Sequence, residues 1–215
     1  DIVKELIRLG VPFSRENGKL IQRPFGGQPK RRTCYAKSST GKMIMTALID
    51  EVRKYEASGL IVRYPEHVLT DVSIDGNILN SITIKDRMAN KVITLKGPSI
   101  ICCGGLNGFF EGETTGTTQN TGDCAAILFT SGVEFANLEF IQYHPTTIPY
   151  SGKRLLLTEA ARGEGAKLFA YKNGEKVYFM EERFPESGSL SPRDVVSREE
   201  YFVLHDKEFS PEIFL

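Results

Sequence analysis

Ser99-Ile100-Ile101-Cys102-Cys103-Gly104-Gly105 is the stretch on which the fold class turns. It is apolar up to the glycines, as a strand buried on both faces must be, and it runs straight into a glycine pair. The expectation is a parallel-sheet strand ending at a ligand loop, the place where open α/β sheets bind their ligands. Gly-Gly at a strand end is more often a plain tight turn, and the chain holds no Gly-x-Gly-x-x-Gly fingerprint. The neighbouring segments therefore have to carry part of the argument.

Upstream, β-branched segments at Leu60 to Arg63, Val68 to Ile74, Ile78 to Lys85 and Lys91 to Leu95 are separated by Asp75-Gly76-Asn77 and Ala89-Asn90 turns, an antiparallel meander. Between Ser38 and Gly59 the spacing of Met43, Ile44, Ala47, Leu48, Val52 and Tyr55 predicts an amphipathic helix with Ser39 or Thr40 as N-cap. Asp1 to Leu9 reads as a helix end stopped by Gly10, and Glu16-Asn17-Gly18 as a hairpin turn. Downstream, Thr121 to Gly132 is a short helix capped by Thr121, and Val133 to Tyr143 is extended. The last third holds Leu155 to Leu157, a hairpin around Lys172-Asn173-Gly174, and a terminal helix with Ser191 as N-cap, Pro192 first and Asp194 in its first turn. The change of pattern places a boundary near residues 130 to 140.

The 215 residues include 27 Lys plus Arg and 27 Asp plus Glu, so no global field recruits nucleic acid or an anionic membrane. No apolar run approaches the roughly 18 to 20 residues of a membrane span, and a soluble chain is expected. Four cysteines with no Cys-x-x-Cys spacing argue against a disulfide framework or a zinc site and fit a reducing compartment. No metal ligands are assigned.

Three stretches could carry chemistry. Arg23-Pro24-Phe25-Gly26-Gly27-Gln28-Pro29-Lys30-Arg31-Arg32 lies in a window from Glu16 to Asp50 with seven basic residues and no acid, and its paired glycines let an anionic ligand touch the backbone. A solvated basic loop is the plain alternative. Gly104-Gly105, with Thr117, Thr118, Asn120 and Asp123 beyond, is the second. The third combines Gln142-Tyr143-His144-Pro145-Thr146, Thr158-Glu159-Ala160-Ala161-Arg162-Gly163-Glu164-Gly165 and Ser191-Pro192-Arg193-Asp194. A small dicarboxylate needs an imidazole, a hydroxyl and a guanidinium converging on its oxygens, because only arginine offers a planar fork that matches a carboxylate. Singly, each has a structural reading: a core His, a Thr-Glu helix cap, a first-turn surface Arg.

In this order the segments resemble the flavoprotein subunit of the succinate dehydrogenase and fumarate reductase family, which includes L-aspartate oxidase. Val11-Pro12-Phe13-Ser14-Arg15, Gln22 to Gln28 and Thr121-Gly122-Asp123 look like its flavin-side stretches. Gln142 to Thr146, Leu157 to Gly165 and Pro192 to Arg198 look like its active-site blocks. The resemblance reaches to about His205 but spans only the middle of a family member: the amino-terminal βαβ unit with its glycine fingerprint, the covalent-flavin histidine of the membrane-complex members and the carboxyl-terminal substrate His and Arg are missing. Cys102-Cys103 stands where the family has Ala-Thr. Thr147 and Lys153-Arg154 replace a small, glycine-rich segment.

The fold that the resemblance implies is α/β: a partial FAD-binding Rossmann-like domain with an antiparallel β insertion over 1–135, and an incomplete α+β capping domain over 136–215. It implies FAD as cofactor, held by Gly26, Gly27, Gln28, Val68, Gly104, Gly105 and Asp123. It implies His144, Thr158 and Arg193 as binders of a C4 dicarboxylate, and Gln142, Glu159 and Arg162 as a proton relay to Arg193 while flavin N5 exchanges a hydride. The activity implied is interconversion of fumarate and succinate, with L-aspartate oxidation and a non-catalytic fragment that packs against other chains as alternatives. Implied partners are the remainder of the flavoprotein chain and an iron-sulfur electron-transfer subunit, with the protein cytoplasmic or peripheral at the cytoplasmic membrane face through those partners.

Overall fold

The computed structural model describes residues 1–28 and 30–215, so Pro29 of the basic stretch lies outside the described residues. In chain order the elements are α1 (Ile2–Arg8), β1 (Arg15–Glu16), β2 (Lys19–Leu20), β3 (Gln22–Arg23), β4 (Thr33–Cys34), α2 (Thr40–Ala57), β5 (His67–Asp75), β6 (Ile78–Asp86), β7 (Val92–Leu95) and α3 (Asp123–Thr130). They continue with β8 (Thr147–Tyr150), β9 (Lys153–Leu156), α4 (Ala160–Gly163), β10 (Ala170–Lys172), β11 (Glu175–Val177), α5 (Phe179–Arg183) and α6 (Arg193–His205). Two compact units result, one of Asp1–Val62, Gln142–Thr146 and Leu157–Leu215, the other of Arg63–Ile141 and Thr147–Leu156. The expected division at 135/136 is one of role, between flavin binding and substrate capping, and is carried forward as a proposal.

In the first unit, Asp1 accepts a bond from the Val3 amide and caps α1. The Asn17-Gly18 turn joins β1 to β2 with φ of 49° and 78°, both left-handed, as a two-residue hairpin requires. Asn173-Gly174 repeats the device between β10 and β11. One core gathers Val11, Phe13 and Ala47 with α1 residues and Met43 and Ile44 of α2. The distal stripe of α2 (Leu48, Val52, Tyr55) is exposed, so only its first turns pack. Ser39 makes no capping bond; instead the Thr40 hydroxyl accepts from the Ala36 amide at 3.0 Å. A second core joins Leu168, Ala170, Phe179, Met180, Val196 and Val203 from β10, α5, α6 and the segment before β10.

The terminal helix starts one residue later than expected. Ser191 spends its hydroxyl on the Gly188 carbonyl and on Ser187, while Pro192, still extended at ψ 151°, accepts the first helical bond from Val196. Arg193 thereby becomes the first residue of α6, at the positive end of the helix dipole, which leaves its charge in need of acidic partners.

The second unit contains the meander β5-β6-β7, antiparallel throughout, and the hairpin β8-β9. Leu60 to Arg63, expected as a strand, is irregular, as is Val133 to Tyr143. The larger correction concerns Ser99 to Cys103. It is irregular and largely exposed, with Ile101 86% accessible, and among the described residues no backbone group from 98 to 105 is hydrogen-bonded. A strand exists only through its neighbours' amides and carbonyls, and no described strand of the chain pairs with this one. Thr121 likewise gives its hydroxyl to the Asp123 carboxylate at 2.8 Å and leaves the N-cap of α3 to Gly122, at φ 84°.

Gly163 carries a steric test of the first unit. A Cβ there would lie 2.6 Å from the Pro24 carbonyl oxygen, a backbone atom that cannot swing aside. Gly163→Ala is expected to cost about 1–3 kcal/mol by overpacking, read as a shift in urea midpoint of the complete protein.

Candidate active site

The site in the first unit is built by a hydroxyl-to-carbonyl bond, an amide-to-carbonyl bond and two glycines. The Thr146 hydroxyl donates to the Leu157 carbonyl at 2.9 Å, and the Leu157 amide donates to the Thr146 carbonyl at 3.0 Å. This bridge sets the Gln142–His144 segment beside Thr158–Glu159. Gly26 comes so close to Glu159 that a Cβ would lie 2.5 Å from its Oε1, and the Gly27 amide donates to the Leu190 carbonyl at 2.8 Å. The Pro24–Gly27 loop is thus pressed against α4 and the approach to α6.

Glu159 is the hub. Its side chain is 3% exposed and that of Arg162 is 0% exposed. Arg162 Nη2 donates to Glu159 Oε1 at 3.0 Å, and Nη1 to the Ser189 carbonyl at 2.8 Å. From α6, Arg193 Nη2 donates to Glu159 Oε2 at 3.1 Å and Nε to Oε1 at 3.4 Å, while Nη1 donates to Gln142 Oε1 at 2.8 Å. One carboxylate therefore holds two guanidiniums, and the cluster keeps an excess of positive charge. Arg193 is the open member, its side chain 32% exposed, and the second N–H on each of Nη1 and Nη2 is left for an outside acceptor.

His144 lies in the field of the same three charges. Burial and the nearby Arg193 hold its imidazole below the ordinary value, against a smaller upward pull from Glu159. Its Nδ1 accepts from the Thr146 amide at 3.2 Å, which leaves Nε2 as the free nitrogen. Thr158 is exposed, and its hydroxyl accepts from the Ala160 amide at 3.3 Å. Burial lowers the affinity of Arg162 for its proton, with Glu159 and Glu200 opposing. The arrangement is a neutral imidazole, a hydroxyl and an open guanidinium on one unit, backed by a carboxylate-guanidinium wire.

Of the residues expected from sequence, Gln142, Glu159, Arg162 and Arg193 are directly hydrogen-bonded, with His144 and Thr158 alongside. Gly26 and Gly27 pack on the same elements, and Gln28 accepts from the Thr33 hydroxyl. Val68 on β5, Gly104, Gly105 and Asp123 belong to the second unit and are described within it. There Gly105 sits so tightly that a Cβ would meet the Asn120 amide at 3.0 Å, and Gly104 faces Cys124 at 3.5 Å.

Sequence reasoning missed Ser189, Glu181 and Glu200. Ser189 contributes a backbone carbonyl to Arg162, and its hydroxyl bonds the Leu168 amide and the Glu181 carboxylate. A backbone acceptor has no side-chain signature. Glu200 did have one, since it stands seven residues, or about two helical turns, after Arg193.

A flavin's pyrophosphate asks for open backbone donors and positive charge. Each unit separately offers groups of that chemistry: in the second, the backbone amides of 99–105, which make no hydrogen bond among the described residues, and in the first, the basic stretch, whose Arg23 Nε is buried without an acceptor among the described residues.

The FAD binding domain family model matches residues 1–215, and the chain belongs to that family. It is 38% identical over 200 residues to the succinate dehydrogenase flavoprotein subunit of Bacillus subtilis (strain 168), covering 92% of this chain and 34% of that protein. It is 34% identical to the fumarate reductase flavoprotein subunit of Mycobacterium tuberculosis (91% of this chain, 34% of that protein) and 31% identical to L-aspartate oxidase 2 of Ralstonia nicotianae (94% and 36%). Among solved structures, an E. coli quinol fumarate reductase superposes with a TM-score of 0.84 at 27% identity, over 96% of this chain and 36% of that one. The chain spans about a third of the length of these relatives, as the sequence resemblance implied, and its mixed α/β structure matches the FAD-binding fold.

Two outcomes are expected. Arg162→Ala leaves the Glu159 carboxylate buried beside one arginine instead of two and should cost about 3–5 kcal/mol, with Arg162→Lys a poor rescue because one ammonium cannot span Glu159 and the Ser189 carbonyl; denaturant titration reads both. His144, depressed in the folded state, should titrate below 6.5 by proton NMR. Its contribution to stability is present above 6.5 and is lost as pH falls through that value, because the unfolded chain takes up a proton that the folded site resists.

Proposed function

Starting from membership in the FAD binding domain family, we propose that the chain is part of an FAD-dependent oxidoreductase interconverting fumarate and succinate. The observation that carries the reading is the Glu159 carboxylate clamped between buried Arg162 and open Arg193, with Gln142 fixing the outer edge of Arg193. A site meant only to pack would have no reason to hold an arginine at a helix N-terminus, against the dipole, with two of its N–H groups left over.

Within this proposal 1–135 contributes to flavin binding and 136–215 to the substrate cap. Gly26, Gly27 and Gln28 would contact FAD from the first unit; in the second, Val68, Gly104, Gly105 and Asp123 have the same role. When bound, FAD supplies two-electron hydride chemistry at N5.

The chain's own residues do the rest. The free N–H groups of Arg193 and the Nε2 of His144 hold carboxylate oxygens of a C4 dicarboxylate, with the Thr158 hydroxyl as a third donor. The fixed Arg193 cation together with the His144 and Thr158 donors polarises the central double bond, which is stabilisation by charge and dipoles arranged in advance.

Arg193 then gives a proton to the carbon opposite the hydride. A guanidinium is ordinarily a poor acid near neutrality, but a developing carbanion is a strong base, and the Glu159 carboxylate, within hydrogen-bond reach of both arginines, can pass to Arg193 a proton taken from Arg162. Burial loosens that Arg162 proton. Electrons would pass through partner chains such as an iron-sulfur protein; among the described residues no helix is long and apolar enough to cross a membrane.

Assaying the complete protein with succinate, fumarate and L-aspartate separates this activity from amino-acid oxidation. In that protein Arg193→Lys should lower turnover by about 10²–10⁴-fold with the flavin absorbance retained; near-normal turnover would refute the acid role.

A further inference from the structure

Three groups around the relay are left over by the reading above. Arg162 Nε is buried and finds no acceptor among the described residues. The Ser197 hydroxyl is buried and finds neither donor nor acceptor among them. The Glu200 carboxyl, partly buried on α6, makes no hydrogen bond among the described residues, although it lies in the field of Arg162. Ser197 and Glu200 follow Arg193 by four and seven residues, so all three line one flank of α6, next to the buried face formed by Val196, Glu199 and Val203.

We propose that Glu200 is the outer acid of the relay, passing a proton from solvent toward Arg162, and through Glu159 to Arg193, with the Ser197 hydroxyl as the neutral polar group between the two ends of the flank. This rests on the reading of Arg193 as the proton donor.

Only protons move. Arg193 gives one to the substrate carbon; the Glu159 carboxylate takes a proton from Arg162 Nη2 and passes it on to the neutral Arg193, and the Glu200 O–H restores Arg162. Each inner group ends with the protons it began with. Glu200 ends as a carboxylate beside a cationic Arg162, and solvent reprotonates it. The electron pair comes separately, from reduced FAD.

The charges around Glu200 favour this role. Arg162 on α4 is the charged group it feels; Glu199, its neighbour on α6, is paired with Arg183 of α5, and Arg193 is turned to Glu159. Burial pushes the Glu200 carboxyl up to about 8, with Arg162 only partly opposing. It is therefore an acid near neutral pH, and a donor with a pKa close to the working pH transfers protons most effectively. An ordinary surface glutamate would be ionised and could not donate.

The test uses the complete FAD-loaded protein, reducing fumarate with an artificial one-electron donor on both sides of pH 8. The unsubstituted protein should lose rate as pH rises through about 8. Glu200→Gln should be slower by about tenfold or more at neutral pH, with that alkaline limb gone, and Glu200→Asp should recover part of both. A second readout needs no turnover: the infrared band of a protonated carboxyl should be present at neutral pH, disappear near pH 8, and be missing from Glu200→Gln. An active protein whose Glu200→Gln variant keeps its rate and pH profile, or a Glu200 that titrates near 4.5 by infrared, overturns the relay alone. An unsubstituted protein that turns over neither fumarate nor succinate overturns the relay together with the reading beneath it.

Discussion

A single buried carboxylate organises this protein. Glu159 is almost wholly removed from water, and a lone ionised carboxylate in that position would be untenable. Two arginines make it tolerable, and each is placed by a different part of the chain: Arg162 from the same short helix, three residues on, and Arg193 from the start of α6. The pairing costs desolvation on all three groups, so its value lies less in net stability than in allowing only one arrangement of the elements that carry it. Remove either arginine and the buried carboxylate keeps one partner where the fold supplies two.

The surroundings follow from that constraint. Gly26 is bare because Glu159 Oε1 occupies the space of a side chain, and Gly163 is bare because the Pro24 carbonyl does. The Ser187–Ser191 turn bends so that a carbonyl, that of Ser189, points at Arg162, and it is pinned from behind by Glu181 and the Leu168 amide. The apolar core of Leu168, Phe179, Met180 and Val196 then seals the far side of the turn and of α6. Packing and polar satisfaction are one arrangement here: the core holds the helix whose first residue completes the cluster.

Much of the local structure was legible. Asn-Gly turns, the β5-β6-β7 meander and the amphipathic start of α2 follow from backbone sterics and periodicity, which act over a few residues. The candidate site was legible for another reason: its segments were picked out by side-chain type, and the fold hydrogen-bonds Gln142, Glu159, Arg162 and Arg193 to one another. What misled was context. Ser99 to Cys103 has the composition of a buried strand, but composition gives only a willingness to pair. Ser191 and Thr121 have the chemistry of caps, yet each found a nearer partner for its hydroxyl.

Order along the chain dictated which groups are available and how neighbours within a turn or two arrange themselves: the turns, the helix stripes, the charges, the family to which the chain belongs. It took the folded arrangement to put Arg193 at N1 of its helix, to face Glu159 with both arginines at once, to aim the Ser189 carbonyl at Arg162 and to set Glu200 in the field of Arg162. Those facts join residues from 26 to 200. Bringing such distant groups together is set by the packing of whole elements, each satisfying its own core, and no window of sequence contains that information.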